Sequence, residues 1–209
     1  MIRPILRGRD ICRYSYHWAN LWLICTHNGV KDKGITKIPR IDINDYPAVK
    51  KHLDKYWDRI QRRDDQGDTP YNLRNCAYWG DFFRQKIVWA SVGETYYSLV
   101  DSETFVLDTN YFFAIDEPYF LIGVLNSKLI KFWINSEDTQ IGDGGAYRHY
   151  KYNLERLCVP QTITTEIETL VKHNLQNQST IIENKIDNKV YALYQLTQAE
   201  IDYIEDRAN

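Results

Sequence analysis

Thr69-Pro-Tyr-Asn-Leu-Arg-Asn-Cys-Ala-Tyr-Trp-Gly-Asp-Phe-Phe-Arg-Gln-Lys-Ile-Val-Trp-Ala-Ser-Val92 is the stretch on which the reading of this chain turns. A turn signal at Asp68-Thr69-Pro70 opens it. Tyr71, Tyr78, Trp79, Phe82 and Phe83 are then interleaved with Arg74, Arg84 and Lys86, and the stretch closes on Ile87-Val88-Trp89, a short apolar run of the kind that makes a buried strand. Rings mixed with cations suit a polyanion, because the cations meet phosphate and base edges while the rings supply apolar contact. The same rings suit a protein core equally well, since that is where most aromatics lie. The stretch thus predicts a sheet strand at its end and leaves two uses open for the residues before it.

Working outward toward the N-terminus, Asn44-Asp45-Tyr46-Pro47 carries a side-chain cap and a proline in the first turn, and so predicts a helix. Its apolar face is Tyr46, Val49, Leu53, Trp57 and Ile60. Lys51, Lys55, Arg59 and Arg63 recur every four residues as a basic ridge, fit either to follow a phosphate backbone or, with Asp54 and Asp58 between them, to be a solvated face. Val30 to Asp42 has little apolar content and reads as an exposed loop, with Lys31, Lys33, Lys37 and Arg40 as groove-reaching cations or as a plain connector. Before it, Trp18 to Ile24 reads as a strand that follows a turn at Arg7-Gly8-Arg9-Asp10.

Toward the C-terminus, Tyr96–Val100 and Thr104–Ile115 are β-branched and aromatic runs that predict a hairpin or two sheet strands. Tyr119–Ile134 is apolar nearly all round and predicts one buried helix. Gly142-Asp-Gly-Gly145 reads as a mobile loop, since no strand before it and no Gly-Lys-Ser/Thr after it make a nucleotide cradle. Tyr147, Arg148 and Lys151 form a second cluster of rings and cations, and Leu154–Pro160 reads as a closing strand. Thr165-Glu-Ile-Glu168 and Thr197-Gln-Ala-Glu200 are capping-box patterns that open a long and a short helix.

Tyr71-Asn-Leu-Arg74, Cys76-Ala-Tyr-Trp79 and Lys86-Ile-Val-Trp89 together resemble the TaqI-like C-terminal specificity domain, the target recognition domain of restriction-modification adenine methyltransferases. Leu6-Arg7-Gly8-Arg9-Asp10-Ile11 with Arg13-Tyr14, and Trp22-Leu23-Ile24 with Thr26-His27-Asn28-Gly29, resemble the opening segment of that family. Leu121-Ile-Gly-Val-Leu-Asn126-Ser127 resembles its central helix, so the resemblance covers residues 2 to 160. It implies recognition of a sequence in double-stranded DNA without catalysis, and a methyltransferase or endonuclease domain or subunit as partner. It also implies that the glycine-bearing loop puts Tyr147, Arg148 and Lys151 beside DNA, and that the last helices act as spacers or docking elements, the alternative being that they simply pack on their own domain.

The expectation is therefore an α+β fold, with residues 1–160 a mixed-sheet target recognition domain carrying packed helices, followed by a helical segment at 161–209. The residues expected at DNA are Arg7, Arg9, Lys31, Lys33, Lys37, Arg40, Lys51, Lys55, Arg74, Asn75, Tyr78, Arg84, Lys86, Tyr147, Arg148 and Lys151. A competing use of the same rings and arginines is a protein-interaction or assembly surface, because Tyr, Trp and Arg also dominate interface hot spots.

Composition narrows the classes further. The apolar share of 44% over 209 residues is enough for a core. A net charge of −2 by itself argues against nucleic acid, yet residues 1–40 hold eight cations against Asp10 and Asp32, while residues 161–209 hold four against eight acids. Cys12, Cys25, Cys76 and Cys158 lie far apart, as do the histidines, so neither a zinc site nor a disulfide framework is expected. No apolar run is long enough to span a bilayer and no signal peptide is evident, so a cytoplasmic protein is expected, with no membrane partner. The prolines, at 4, 39, 47, 70, 118 and 160, include no adjacent pair, which excludes the Asn/Asp-Pro-Pro-Tyr/Phe motif that holds a flipped adenine. Neither a cofactor nor a small-molecule substrate is expected. Asp64, Asp65 and Asp68 are too weak a pattern for a metal-dependent nuclease.

Overall fold

The computed structural model describes residues 1–32, 35–161 and 163–207. They group into two units, Met1–Pro4 with Trp22–Gly80 and Ile5–Leu21 with Asp81–Asn209. The architecture is α+β with mixed strand pairing, as expected.

In the first unit, the start of β1 (Ile2–Leu6) pairs antiparallel with β2 (Trp22–Ile24), the last residues of the strand predicted there. The basic segment expected as a loop is instead an antiparallel hairpin, β3 (Val30–Asp32) with β4 (Ile35–Ile38). Its β-branched residues, Val30, Ile35, Thr36 and Ile38, suit paired strands better than an unpaired connector. Gly29, at φ +82°, lets the start of the hairpin pass its end, because a Cβ there would lie 2.6 Å from the Ile38 carbonyl oxygen. The single helix predicted after Pro47 is two, α1 (Pro47–Asp54) and α2 (Trp57–Ile60). They part where the amides of Lys55 and Tyr56 turn to carbonyls three residues back, on His52 and Leu53.

What this unit buries is largely polar. Beside Cys25 and Ile43, the buried residues among those described are Thr26, Asn28 and Asn72. With so little apolar area removed from water, its segments must be tied by hydrogen bonds, and Asn72 and Asn28 are the ties.

In the second unit, the apolar run predicted as a strand is β5 (Lys86–Ala90), buried at every position. The two-residue strand β6 (Val92–Gly93) follows, and then β7 (Ser98–Val100), β8 (Phe105–Val106) and β9 (Asn110–Ala114). β5 lies between β7 and β9 in an antiparallel sheet, and the end of β1 pairs in parallel with β8. The helix predicted over 119–134 divides into α3 (Tyr119–Leu125) and α4 (Lys128–Glu137). The cause is the pair Asn126-Ser127: Ser127 caps α4 by accepting from the Ile130 amide, and Asn126 turns its side chain to both backbone groups of Tyr97. The carbonyl of Asn126 receives the Arg13 guanidinium, which also pairs with Glu183.

β10 (Thr139–Ile141) and β11 (Ala146–Arg148) form a hairpin that continues onto β6. The closing strand expected at 154–160 is absent. α5 (Lys151–Glu155) stands at its start, followed by residues without regular structure. α6 (Thr165–Gln176), α7 (Thr180–Leu193) and α8 (Gln198–Glu205) complete the unit. They pack on their own unit. Ile167, Val171, Ile186 and Val190 share one core with Ile87 and Trp89 of the sheet and Ile122 and Val124 of α3. A Cβ on Gly123 would come within 2.8 Å of Ile167 and Val171, so α3 and α6 cross at a glycine. These helices bury their apolar faces in the same core as the sheet, within the second unit.

Candidate nucleic-acid interface

The segment after Pro70 begins with two residues held inward. The Tyr71 ring lies 5.2 Å from that of Trp57, its hydroxyl donates to Asp54, and the Lys50 ammonium sits 5.3 Å over its face. The hydrogen bond to the Asp54 carboxylate raises the Tyr71 phenol above its ordinary value and lowers Asp54 below the usual carboxylate range. Asn72 is fully buried. Its amide donates to the carbonyls of Ile41, at 3.0 Å, and His27, and its side-chain oxygen accepts from the Thr69 hydroxyl at 2.7 Å. Its own carbonyl receives the Gly67 amide and the Arg63 guanidinium.

Asn28 works beside it, accepting from the Asp68 amide and donating to the side chains of Asp68 and Asn75. With Asn72 and Asn28 fixing the backbone, Arg74, Asn75 and Tyr78 stand on the exposed side of the loop. Arg74 reaches Asp65 at 3.2 Å, with both side chains well exposed, so the contact is weak and open to exchange.

Of the first unit's cations, Lys31 and Lys37 are exposed on the hairpin, Arg40 follows it, and Lys51 and Lys55 are exposed on and just after α1. None of these five has an ion-pair partner among the described residues. Lys33 lies outside the described residues. The predicted basic ridge ends early, since Arg63 turns inward to the carbonyls of Pro70 and Asn72. Arg59 and Arg62, exposed and likewise without an ion-pair partner among the described residues, extend the cationic set that the expected residues omitted.

In the second unit the expected cations fare differently. The Lys86 amine is fully buried and donates to the carbonyls of Asp101 and Thr104, so it is a core residue and faces no groove. Burial lowers it to about 8, against the pull of Asp101 and Glu103. Arg7 forks onto Asp10, whose carboxylate also accepts the Arg7 amide; it shapes the turn. Burial alone would raise Asp10, but the bonds from Arg7 hold it below its ordinary value. Arg9 is exposed, whereas Arg84 pairs with Asp116 at 2.9 Å and, more loosely, with Asp81. Among the rings, Phe82 packs on Phe105 and Phe112 and Trp89 on Tyr97, which assigns both to the core.

Tyr147 and Arg148 lie on β11, opposite Gly93 and Val92 of β6. The glycine loop expected here is the turn of the β10–β11 hairpin, with Gly142 and Gly145 at positive φ. Lys151 pairs with Glu155 on the exposed side of α5. At the foot of the hairpin, Asp138 and His149 are both buried and bonded to each other, a pairing that sequence reading missed because the two residues lie eleven positions apart with no local pattern.

A family model described as the TaqI-like C-terminal specificity domain matches residues 3–159. The chain belongs to this family. A search of the curated proteins found no match. The matched part of this TaqI-like specificity domain runs through both units and ends before α6, although α6 and α7 complete the core on which its sheet packs. Among the described residues, no three His, Cys, Asp or Glu side chains come together to hold a metal ion, and no helix is long and apolar enough to cross a membrane.

The charge asymmetry follows the units. The first holds twelve Lys and Arg against eight Asp and Glu, and the second holds fourteen against twenty. A chain that is nearly neutral as a whole is thus cationic in one part and acidic in the other, which is what attraction of a polyanion to one part alone requires.

Proposed function

We propose that this specificity domain reads a sequence in double-stranded DNA on behalf of a restriction-modification methyltransferase or endonuclease carried by another domain or subunit, and does no chemistry itself. The observation that carries the reading is the cationic first unit, where Lys31, Lys37, Arg40, Lys51 and Lys55 are exposed and uncommitted to carboxylates among the described residues. Such cations position a duplex through its phosphates. In the same unit, Arg74 offers a donor fork, and Asn75 and Tyr78 offer further polar edges; these are side chains that discriminate base edges in a major groove. Tyr147 and Arg148 form a separate candidate reading surface on the second unit. A cytoplasmic location, alongside the DNA, accords with this role.

The test is duplex binding across a salt series. Affinity that falls steeply as salt rises supports the reading. A second reading, a protein-docking module, draws on Tyr46, Tyr56 and Trp57, which are exposed along α1 and α2. A partner complex indifferent to salt, with no duplex bound, would favour it. Methyl transfer to DNA by the purified chain alone, with contaminating enzyme excluded, would refute the assignment of chemistry to a partner.

A further inference from the structure

The β10–β11 hairpin is joined at its base by side chains that lie outside it in sequence. Asp138 directly precedes β10, and His149 directly follows β11. Their side chains are 1% and 4% exposed and meet at 2.7 Å, Asp138 Oδ2 to His149 Nδ1. The other carboxylate oxygen of Asp138 accepts from the Tyr150 amide at 3.2 Å and from the Asn153 side-chain amide at 2.8 Å. Asn153, buried on α5, donates also to the Glu137 carbonyl, and the His149 amide donates to the Ser91 carbonyl beside β6. A buried carboxylate with three donors converging on it is satisfied without water, so the group is rigid. The remaining ring nitrogen of His149, Nε2, has no hydrogen-bond partner among the described residues, so Asp138 is the ring's whole polar anchorage.

We infer that Asp138, His149 and Asn153 are positioning residues: they lock the two stems of the hairpin together and so fix where Tyr147 and Arg148 stand. The inference rests on the DNA-recognition reading above. Beyond the clamp the hairpin has little to hold it. Thr139, Gln140, Ile141 and the turn from Gly142 to Gly145 are all exposed, and β11 meets β6 over only two residues. A reading head on such a short ribbon needs a fixed base, because discrimination between base pairs demands donors and acceptors set in place before contact. Loss of the clamp should therefore reduce preference for one site over another while leaving sequence-independent attraction intact.

The experiment selects a preferred site from a random duplex pool with the full chain, then compares affinity for that site and for random duplex. His149→Leu keeps bulk and removes the donor to Asp138; His149→Asn restores a donor near the place of Nδ1. The expected result is a loss of tenfold or more in site preference for His149→Leu, random-duplex affinity within twofold of wild type, and recovery to within threefold for His149→Asn. Unchanged preference in a folded His149→Leu protein would overturn the clamp and leave the DNA reading standing. Absence of any duplex binding by the wild type would overturn the DNA reading, and the positioning role with it. Should His149→Leu not fold, hydrogen exchange on the wild type decides: the amides of His149 and Tyr150 should exchange as slowly as those of β5, and exchange as fast as the Gly142–Gly145 turn would overturn the clamp.

Discussion

Lys86 is the residue whose chemistry departs furthest from its reading as a surface cation. Buried against two carbonyls, its ammonium titrates near 8, whereas in the unfolded chain it titrates at about 10.4. Below pH 8 both states hold the proton, and the folded state bears the cost of burying it. Between 8 and 10 the unfolded chain binds more protons than the folded one, so this group makes stability rise with pH. The Cys12 and Cys25 thiols, pushed up by burial, work in the opposite direction over the same range, so the clean measurement is a difference. The stability gap between wild type and Lys86→Met, from denaturant unfolding, should move in favour of wild type by about 2 kcal/mol from pH 7.5 to 9.5. A gap that stays constant would mean that the amine is not desolvated. Asn72 gives a second prediction at this scale. Removing its amide takes the side-chain donor from the Ile41 carbonyl, so Asn72→Ala should cost about 1–3 kcal/mol, read as early proteolysis within residues 22–80 while the second unit stays resistant.

At the scale of elements, the two capping-box patterns make a matched pair. At Thr197 the box is formed: its hydroxyl accepts from the Glu200 amide, and the Glu200 carboxylate accepts from the Thr197 amide. At Thr165 it is not, because the helix begins one residue earlier, after Thr164, and no side chain caps it. Thr197→Ala should therefore cost about 1 kcal/mol in thermal or denaturant unfolding and Thr165→Ala almost nothing; equal costs would show that the pattern alone, and not the formed bonds, carries the stability. The pair also shows what was legible in the sequence. β5 could be read because five consecutive buried positions need an unbroken apolar run, and the lysine that opens it looked like surface only because its buried bonds reach backbone far along the chain. The α+β class and the family resemblance could be read for the same reason, since both rest on contiguous segments. The break at Asn126-Ser127 was hidden because a polar pair inside an apolar helix gives no sign that Tyr97 waits for it across the fold. The Asp138–His149 clamp and the Asn72 tie were illegible in the same way, as contacts between residues that share no periodic pattern.

For the whole molecule, the division of charge makes the strongest demand. If the first unit alone provides the phosphate contacts, each exposed cation there should neutralise about one phosphate, and its removal should lower the slope of log affinity against log salt by about one unit on cognate and random duplex alike. Lys31→Ala and Lys51→Ala are the cases to measure, because both side chains are exposed and have no ion-pair partner among the described residues. Lys185→Ala is the control. It removes an exposed cation from α7 in the acidic second unit, and it changes the net charge of the chain by the same amount. A slope lowered by the first two variants and untouched by the third assigns phosphate contact to the first unit. Equal lowering by all three would mean that the duplex responds to total charge and not to an arranged surface, and the division of labour between the units would fall. Arg74→Ala separates positioning from reading on the same assay: a donor fork on a guanine edge should cost about 1–3 kcal/mol on the preferred site and little on random duplex, whereas a phosphate contact costs the same on both.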